Sequence, residues 1–227
     1  MVNQSDAIQN LQYLESLKIF GVDQVLIPKL VSLPPNQSHP SNTKTDLSEL
    51  CGQVSSCVKC HELASTRTKT VFGSGNLKSP LVFVGEAPGY DEDKQGLPFV
   101  GKAGQLLTKM IEAMGCKREE VYICNVLKCR PPQNRNPLPV EIENCVPYLW
   151  AQLEFIKPKI ICALGTFAAQ TLLKTPRSIS SLRGAIHESG DFRIVCTYHP
   201  AYLLRNPADK KKAWEDLKRI MQELKSL

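Results

Sequence analysis

Two hydrophobic rhythms alternate along most of this chain. Short apolar runs at Leu81 to Val84, Val121 to Cys124, Ile160 to Ala163 and Arg193 to Thr197 have the length and residue types of buried strands. Between and after them, apolar positions at helical spacing predict helices near 102–114, 139–155, 166–174 and 208–225. Strand and helix alternating at this period predict an α/β domain in which a mainly parallel, four-stranded sheet is covered on both faces. No internal repeat interrupts the pattern.

Unusual polar residues follow directly after those strands: Gly85 and Glu86, then Asn125, then Gly165 and Thr166, then His199 and Pro200. The C-terminal ends of strands in an open parallel sheet line one crevice, so these residues are expected to converge there. Upstream the rhythm changes. Ile8, Leu11, Leu14 and Leu17 stand three apart with Tyr13 and Phe20 beside them and Gly21 following, which predicts a short amphipathic helix over residues 6 to 20. Pro28 to Asp46 carries Pro34, Pro35 and Pro40 among Ser, Asn and Thr, a composition that buries too little apolar surface to order itself. The chain therefore divides into residues 1–46, a helix plus flexible linker, and residues 47–227, the main domain.

Composition adds a few limits. Hydrophobic residues at 42% and charged residues at 22% are ordinary for a globular protein of 227 residues and exclude a fibre or global disorder. No run approaches the roughly 18 apolar residues that would cross a bilayer, and Met1 to Asn10 lacks a basic stretch leading into an apolar one. The expectation is an intracellular protein, and in a reducing compartment the nine cysteines are thiols or metal ligands rather than a disulfide framework. A net charge of +6 leans toward polyanionic partners such as nucleic acid without deciding for them.

Chemistry is suggested by the motifs. Gly85-Glu86-Ala87-Pro88-Gly89 leaves a strand and continues through Glu92 and Asp93 to Gly96-Leu97-Pro98-Phe99-Val100-Gly101, where a helix opens. A glycine-rich entry lets a ligand approach the backbone, and Phe99 could present its face as a stacking platform, although a lone Phe is more often core. Asn125 can both donate and accept, as the N3 and O4 edge of a uracil ring requires, although a lone Asn is more often a turn residue. In Thr197-Tyr198-His199-Pro200-Ala201-Tyr202-Leu203-Leu204-Arg205, the imidazole could donate to a developing oxyanion. Leu203 and Leu204 could wedge into a base stack and Arg205 could hold a phosphate, or the leucines simply begin a helix. Lys210, Lys211 and Lys212 are a phosphate contact only if they face the crevice, and otherwise a solvated helix face.

Cys57 and Cys60 form a C-x-x-C pair, while Cys129 and Cys145 stand apart across a Pro-rich loop and part of a helix. Zinc modules show two close pairs, so this spread suits an iron-sulfur cluster better, with zinc or no metal as rivals. Cys124, Cys162 and Cys196 fall in strands as core thiols, Cys116 follows a helix, and Cys51 is the rival for a place in the ligand set.

Together GEAPG with EDKQGLPFVGKAG, then NVLKCRPPQNRNP, then TYHPAYLLRNP resemble the family 4 uracil-DNA glycosylases, the iron-sulfur branch of that superfamily, from about Cys57 to the C-terminus. The resemblance implies a three-layer α/β/α fold, a [4Fe-4S] cluster on Cys57, Cys60, Cys129 and Cys145, and excision of uracil from DNA in base excision repair. By position, Phe99 would stack on uracil, Asn125 would read its polar edge, His199 would stabilise charge at O2, and Glu92 would line the pocket near C5 against thymine's methyl. Where family 1 relatives carry a water-activating aspartate this chain has Ala87, which leaves Glu86 as the nearest base or as a residue that orients the loop. The expected partner is uracil-containing DNA, double- or single-stranded, bound by a monomer, with residues 1–20 open to a protein partner. The rival readings are a non-catalytic iron-sulfur DNA-binding module that recruits repair or replication partners, and a zinc-containing nucleotide-processing enzyme.

Overall fold

The computed structural model describes residues 46–226, so the helix expected over 6–20 and nearly all of the expected linker lie outside the described residues. One sheet organises the rest. Its strands are β1 (Ser74–Gly75), β2 (Leu81–Gly85), β3 (Tyr122–Asn125), β4 (Ile160–Leu164), β5 (Ile186–Ser189) and β6 (Phe192–Thr197), in the order β1-β3-β2-β4-β6-β5. The four strands expected from the apolar runs are the central ones, and they pair in parallel. Two antiparallel edge strands extend them. Neither edge announces itself in sequence: β1 is two residues long, and β5 is a half-exposed hairpin partner of β6, turned at Gly190 with φ 58°.

The helices are α1 (Asp46–Ser55), α2 (His61–Thr66), α3 (Tyr90–Gln95), α4 (Lys102–Ala113), α5 (Pro139–Ile156), α6 (Thr166–Leu173), α7 (Ile179–Leu182), α8 (Pro200–Arg205) and α9 (Lys210–Ser226). The four expected from periodicity agree with α4, α5, α6 and α9 to within two residues at each end. None of the described helices is long and apolar enough to cross a membrane.

Alternation along β2 explains the layers. Leu81 and Phe83 join a core with Leu107, Met110 and Ile111 of α4 and Leu217 and Ile220 of α9, whereas Val82 and Val84 join a second core with Leu149 and Leu153 of α5 and Ala168 and Leu172 of α6. Every residue of β2, β3 and β4 is buried because both faces are covered. The result is the three-layer α/β/α arrangement, and its register aligns the strand ends: Gly85 is level with Asn125, and Leu164 with Thr197.

A buried polar network lies beneath that edge. Lys128 is 1% exposed, and its Nζ donates to the Asn125 carbonyl at 2.7 Å and to Gln152 Oε1 at 2.6 Å. Gln152 Nε2 in turn donates to the Phe72 carbonyl at 2.9 Å and to the Tyr122 hydroxyl at 3.2 Å. Burial lowers the pKa of Lys128, since the charged form loses its hydration, and these oxygens replace the lost water. Lys128→Met keeps the volume but leaves two buried acceptors unpaired, and urea denaturation should show a loss of about 2–4 kcal/mol; an unchanged midpoint would show that the network is not needed.

Candidate active site

Above the aligned strand ends lies a cavity of about 420 Å³, whose wall includes Glu86, Ala87, Glu92, Phe99, Asn125, His199 and Arg205. Residues more than a hundred positions apart are thus brought together, as expected for loops that leave one edge of a parallel sheet. Asn125 is 1% exposed, and its Oδ1 has no hydrogen-bond partner among the described residues. A buried acceptor left open on a cavity marks a place where a ligand donor belongs.

Phe99 and Asn125 meet over Gly85. A Cβ at that position would stand 2.3 Å from Asn125 Oδ1 and 2.5 Å from the Phe99 ring, so both side chains use the space that glycine leaves. Phe99 adopts φ 52°, a left-handed conformation unfavourable for an aromatic residue, and its loop is fastened on both sides. Arg118 Nη2 donates to the Pro98 carbonyl at 2.6 Å, and Glu92 Oε1 accepts the amides of Val100 at 2.8 Å and Gly101 at 3.0 Å. Glu92 Oε2 also accepts the Gly89 amide at 3.1 Å, so this acid ties the two loops of the pocket together while forming part of its wall.

His199 precedes α8, and its Nδ1 accepts the Ala201 amide at 3.1 Å, which leaves the proton of the neutral ring on Nε2. Burial and the charge of Arg205 push its pKa down to about 4, with Glu92 opposing, so the ring is a neutral donor near pH 7. Its centroid is 5.5 Å from that of Phe99. Glu86 makes no side-chain hydrogen bond among the described residues, and burial alone raises its pKa to about 7. Its backbone is fixed because its carbonyl accepts the Leu127 amide at 3.0 Å.

The leucine pair divides. Leu203 is fully buried in the core beside α4, so the expectation that it contacts DNA is corrected: α8 points it inward, and leaving would open a cavity in the core. Leu204, one residue on, is 44% exposed, and Arg205 is exposed at the mouth. In the basic run, Lys212 is engaged by Asp209 at 2.8 Å.

Cys57, Cys60, Cys129 and Cys145 also converge, beside the cavity rather than in it. Cys129 is within the electrostatic reach of Cys57 and Cys60, and Cys145 within that of Cys129 and Cys60. Arg67 Nη1 donates to Cys129 Sγ at 3.2 Å and the Lys128 amide to Cys145 Sγ at 3.2 Å. Burial pushes the Cys145 thiol up to about 11 and raises Cys60 and Cys129. Among the described residues no three His, Cys, Asp or Glu side chains are grouped closely enough to hold a metal ion as they stand. Cys51 is exposed on α1, while Cys116, Cys124, Cys162 and Cys196 are buried.

Residues 72–218 match the family model described as the uracil DNA glycosylase superfamily. The chain is 46% identical over 182 residues to a type-4 uracil-DNA glycosylase of Archaeoglobus fulgidus, covering 77% of this chain and 91% of that protein. It is 45% identical to a type-4 uracil-DNA glycosylase of Thermotoga maritima, covering 80% and 92%. The chain belongs to the type-4 uracil-DNA glycosylases. A type-5 uracil-DNA glycosylase of Pyrobaculum aerophilum is more distant, at 26% identity over 68% of this chain and 82% of that protein.

Within this type-4 site, sequence reasoning missed Arg118, Lys128 and Tyr202. Arg118 and Lys128 act on backbone carbonyls of neighbouring loops, which no side-chain pattern encodes. Tyr202 lines the cavity from within a motif already singled out; its ring stacks on Tyr198 with centroids 4.9 Å apart, and its hydroxyl donates to Asp209 at 2.6 Å. Gly85→Ala must move Phe99, Asn125 or both by about 1 Å, which should cut uracil release roughly a hundredfold while the fold persists. Kinetics on a uracil oligonucleotide together with a melting curve test this, and near-normal kinetics would show that the contact is dispensable.

Proposed function

We propose that this protein is a monofunctional uracil-DNA glycosylase: it flips uracil out of DNA and hydrolyses the N-glycosidic bond, leaving an abasic site. The observation that carries the reading is the open Oδ1 of buried Asn125, set in one cavity with an aromatic ring and a neutral imidazole donor. Uracil offers N3–H to Oδ1 and O4 to Nδ2, whereas cytosine offers an acceptor and an amine and mismatches the same carboxamide. Phe99 stacks on the base. Glu92, by tying its two loops, keeps the wall from yielding to a thymine methyl.

Breaking the bond from C1′ to N1 leaves positive charge on the sugar and negative charge on the departing base. His199 Nε2–H donates to O2, where the negative charge gathers, and needs no proton transfer to do so. The DNA phosphates favour the sugar cation, and Glu86, once ionised, adds to that field and orients the attacking water. Ala87 supplies no acid, so water activation is the lesser part of the rate. Extruding the base costs a few kcal/mol, less at a mismatch. Leu204, exposed on α8, fills the vacated stack, and Arg205 holds a phosphate.

The four converging thiols suit a [4Fe-4S] cluster, which takes four cysteine thiolates: Cys129 interacts electrostatically with Cys57 and Cys60, and Cys145 with Cys129 and Cys60. Bound there, the cluster supplies a cross-link between the turn after α1, the loop after β3 and α5. Protein purified without oxygen should be brown with about four irons per chain, and Cys145→Ser should lose both; a colourless, zinc-loaded wild type would refute the assignment.

Uracil release from U·G, U·A and single-stranded oligonucleotides tests the activity, and DNA binding without release would leave only a binding module. The carboxylate of Glu86 is its deprotonated form, so the single-turnover rate should rise with pH through about 7 and level off above. Glu86→Gln should remove that rise, and Leu204→Ala should slow release from duplex more than from single strands. A wild-type profile flat across that range would exclude Glu86 from the reaction.

A further inference from the structure

Two cations at the cavity mouth form no ion pair among the described residues. Tyr90 opens α3 directly after the Gly85–Gly89 loop and is 55% exposed. The Arg130 guanidinium stands 5.1 Å from its ring centroid and the Lys94 ammonium 5.7 Å. Each cation is steadied by a neutral oxygen: Arg130 Nε donates to Asn134 Oδ1 at 2.7 Å, and Lys94 Nζ to Thr68 Oγ1 at 3.2 Å. Among the described residues neither forms an ion pair, whereas nearby Arg135 bridges Glu62 and Glu141, each at 2.7 Å.

The acids of α3 do not serve them. Glu92 accepts the amides of Gly89, Val100 and Gly101, Asp93 accepts those of Thr68 and Lys69, and Asp91 lies against Gly101. Gly89, next to Tyr90, and Pro131 and Asn134, next to Arg130, line the cavity, so the patch sits on its rim. Arg205 approaches from α8, which follows β6, two strands from β2 in the sheet order. At about 4.8 Å per strand the two rims are roughly 10 Å apart along the sheet edge. A nucleotide that enters between them leaves its flanking phosphates on either side.

We infer that Tyr90, Lys94 and Arg130 form a phosphate seat for the uracil-bearing strand, on the side of the cavity away from α8. The inference rests on the glycosylase reading. Tyr90 gathers both cations before DNA arrives, so little ordering remains to be done when a phosphodiester accepts from the guanidinium fork and the ammonium. The ring, not the hydroxyl, does the gathering.

The test compares Arg130→Gln, Lys94→Gln, Tyr90→Ala and Tyr90→Phe with Lys174→Gln, a control of equal charge change at the far end of α6, which runs back from the strand C-termini toward the opposite edge. Oligonucleotide binding is followed by fluorescence anisotropy over a range of salt, alongside uracil release and inhibition by free uracil. Arg130→Gln should weaken single-strand binding roughly tenfold at low salt. It should also flatten the slope of log affinity against log salt by about 0.7, the share of one phosphate contact. Lys94→Gln and Tyr90→Ala should act in the same direction, Tyr90→Phe should match wild type, and free-uracil inhibition should be unchanged throughout. Slopes equal to that of Lys174→Gln would overturn the seat, as would a parallel loss of free-uracil inhibition, which would make the patch a prop for the pocket. A wild type that releases no uracil would sink the glycosylase reading instead, and the salt slope of binding would still decide the seat.

Discussion

The level pairing of Gly85 with Asn125 at the end of two parallel strands is the contact on which the site depends. It places a carboxamide and a loop backbone at one height, and because Gly85 has no side chain, the Phe99 ring can lie against both. That ring is held in a left-handed conformation by agents outside the pocket's own chemistry. Arg118 holds the carbonyl before it, Glu92 the amides after it, and Gly104 of α4 admits its carbonyl where a Cβ would stand 1.9 Å away. The face proposed to receive the base is therefore built before any base arrives, and binding energy need not order it.

Behind Asn125 the same economy of motion continues through Lys128. Its side chain grips the Asn125 carbonyl, its amide donates to Cys145 Sγ, and its carbonyl accepts the Val71 amide at 2.7 Å. The next residue is Cys129. The proposed cross-link at the cysteines would thus act on Asn125 through at most four residues of chain and one buried ammonium. In the proposed reading the thiols brace and the strand ends react, in keeping with cysteines that gather beside the cavity and not within it.

The sequence made the central sheet and the main helices legible because burial on both faces writes unbroken apolar runs into the strands and a 3.6-residue period into α4 and α9. Phe99, Asn125 and His199 were legible by position, each lying beyond or between strand ends that must converge. The edge strands were hidden by brevity and partial exposure. Leu203 and Leu204 could not be told apart because adjacent residues differ by about 100° around a helix, and only the packing of α8 on α4 fixes which one faces the core. Glu92 shows a further limit: the family resemblance put it at the pocket, but only the structure reveals that both carboxylate oxygens are engaged by backbone amides.

Charge in the cavity is divided by burial and neighbourhood. His199 is kept neutral from one side by desolvation and by Arg205, so it can donate a proton in a hydrogen bond without carrying a full charge that would also hold the product. Glu86 sits where burial alone moves it to about 7, poised between acid and anion. The cations proposed to meet the strand, Arg205 on α8 and Arg130 with Lys94 around Tyr90, stand at the rim, where water still screens them. In the proposed mechanism, attraction for the strand is thereby kept apart from the field that acts on the bond: the rim binds any sequence, while the donors inside act only on a base that has left its stack.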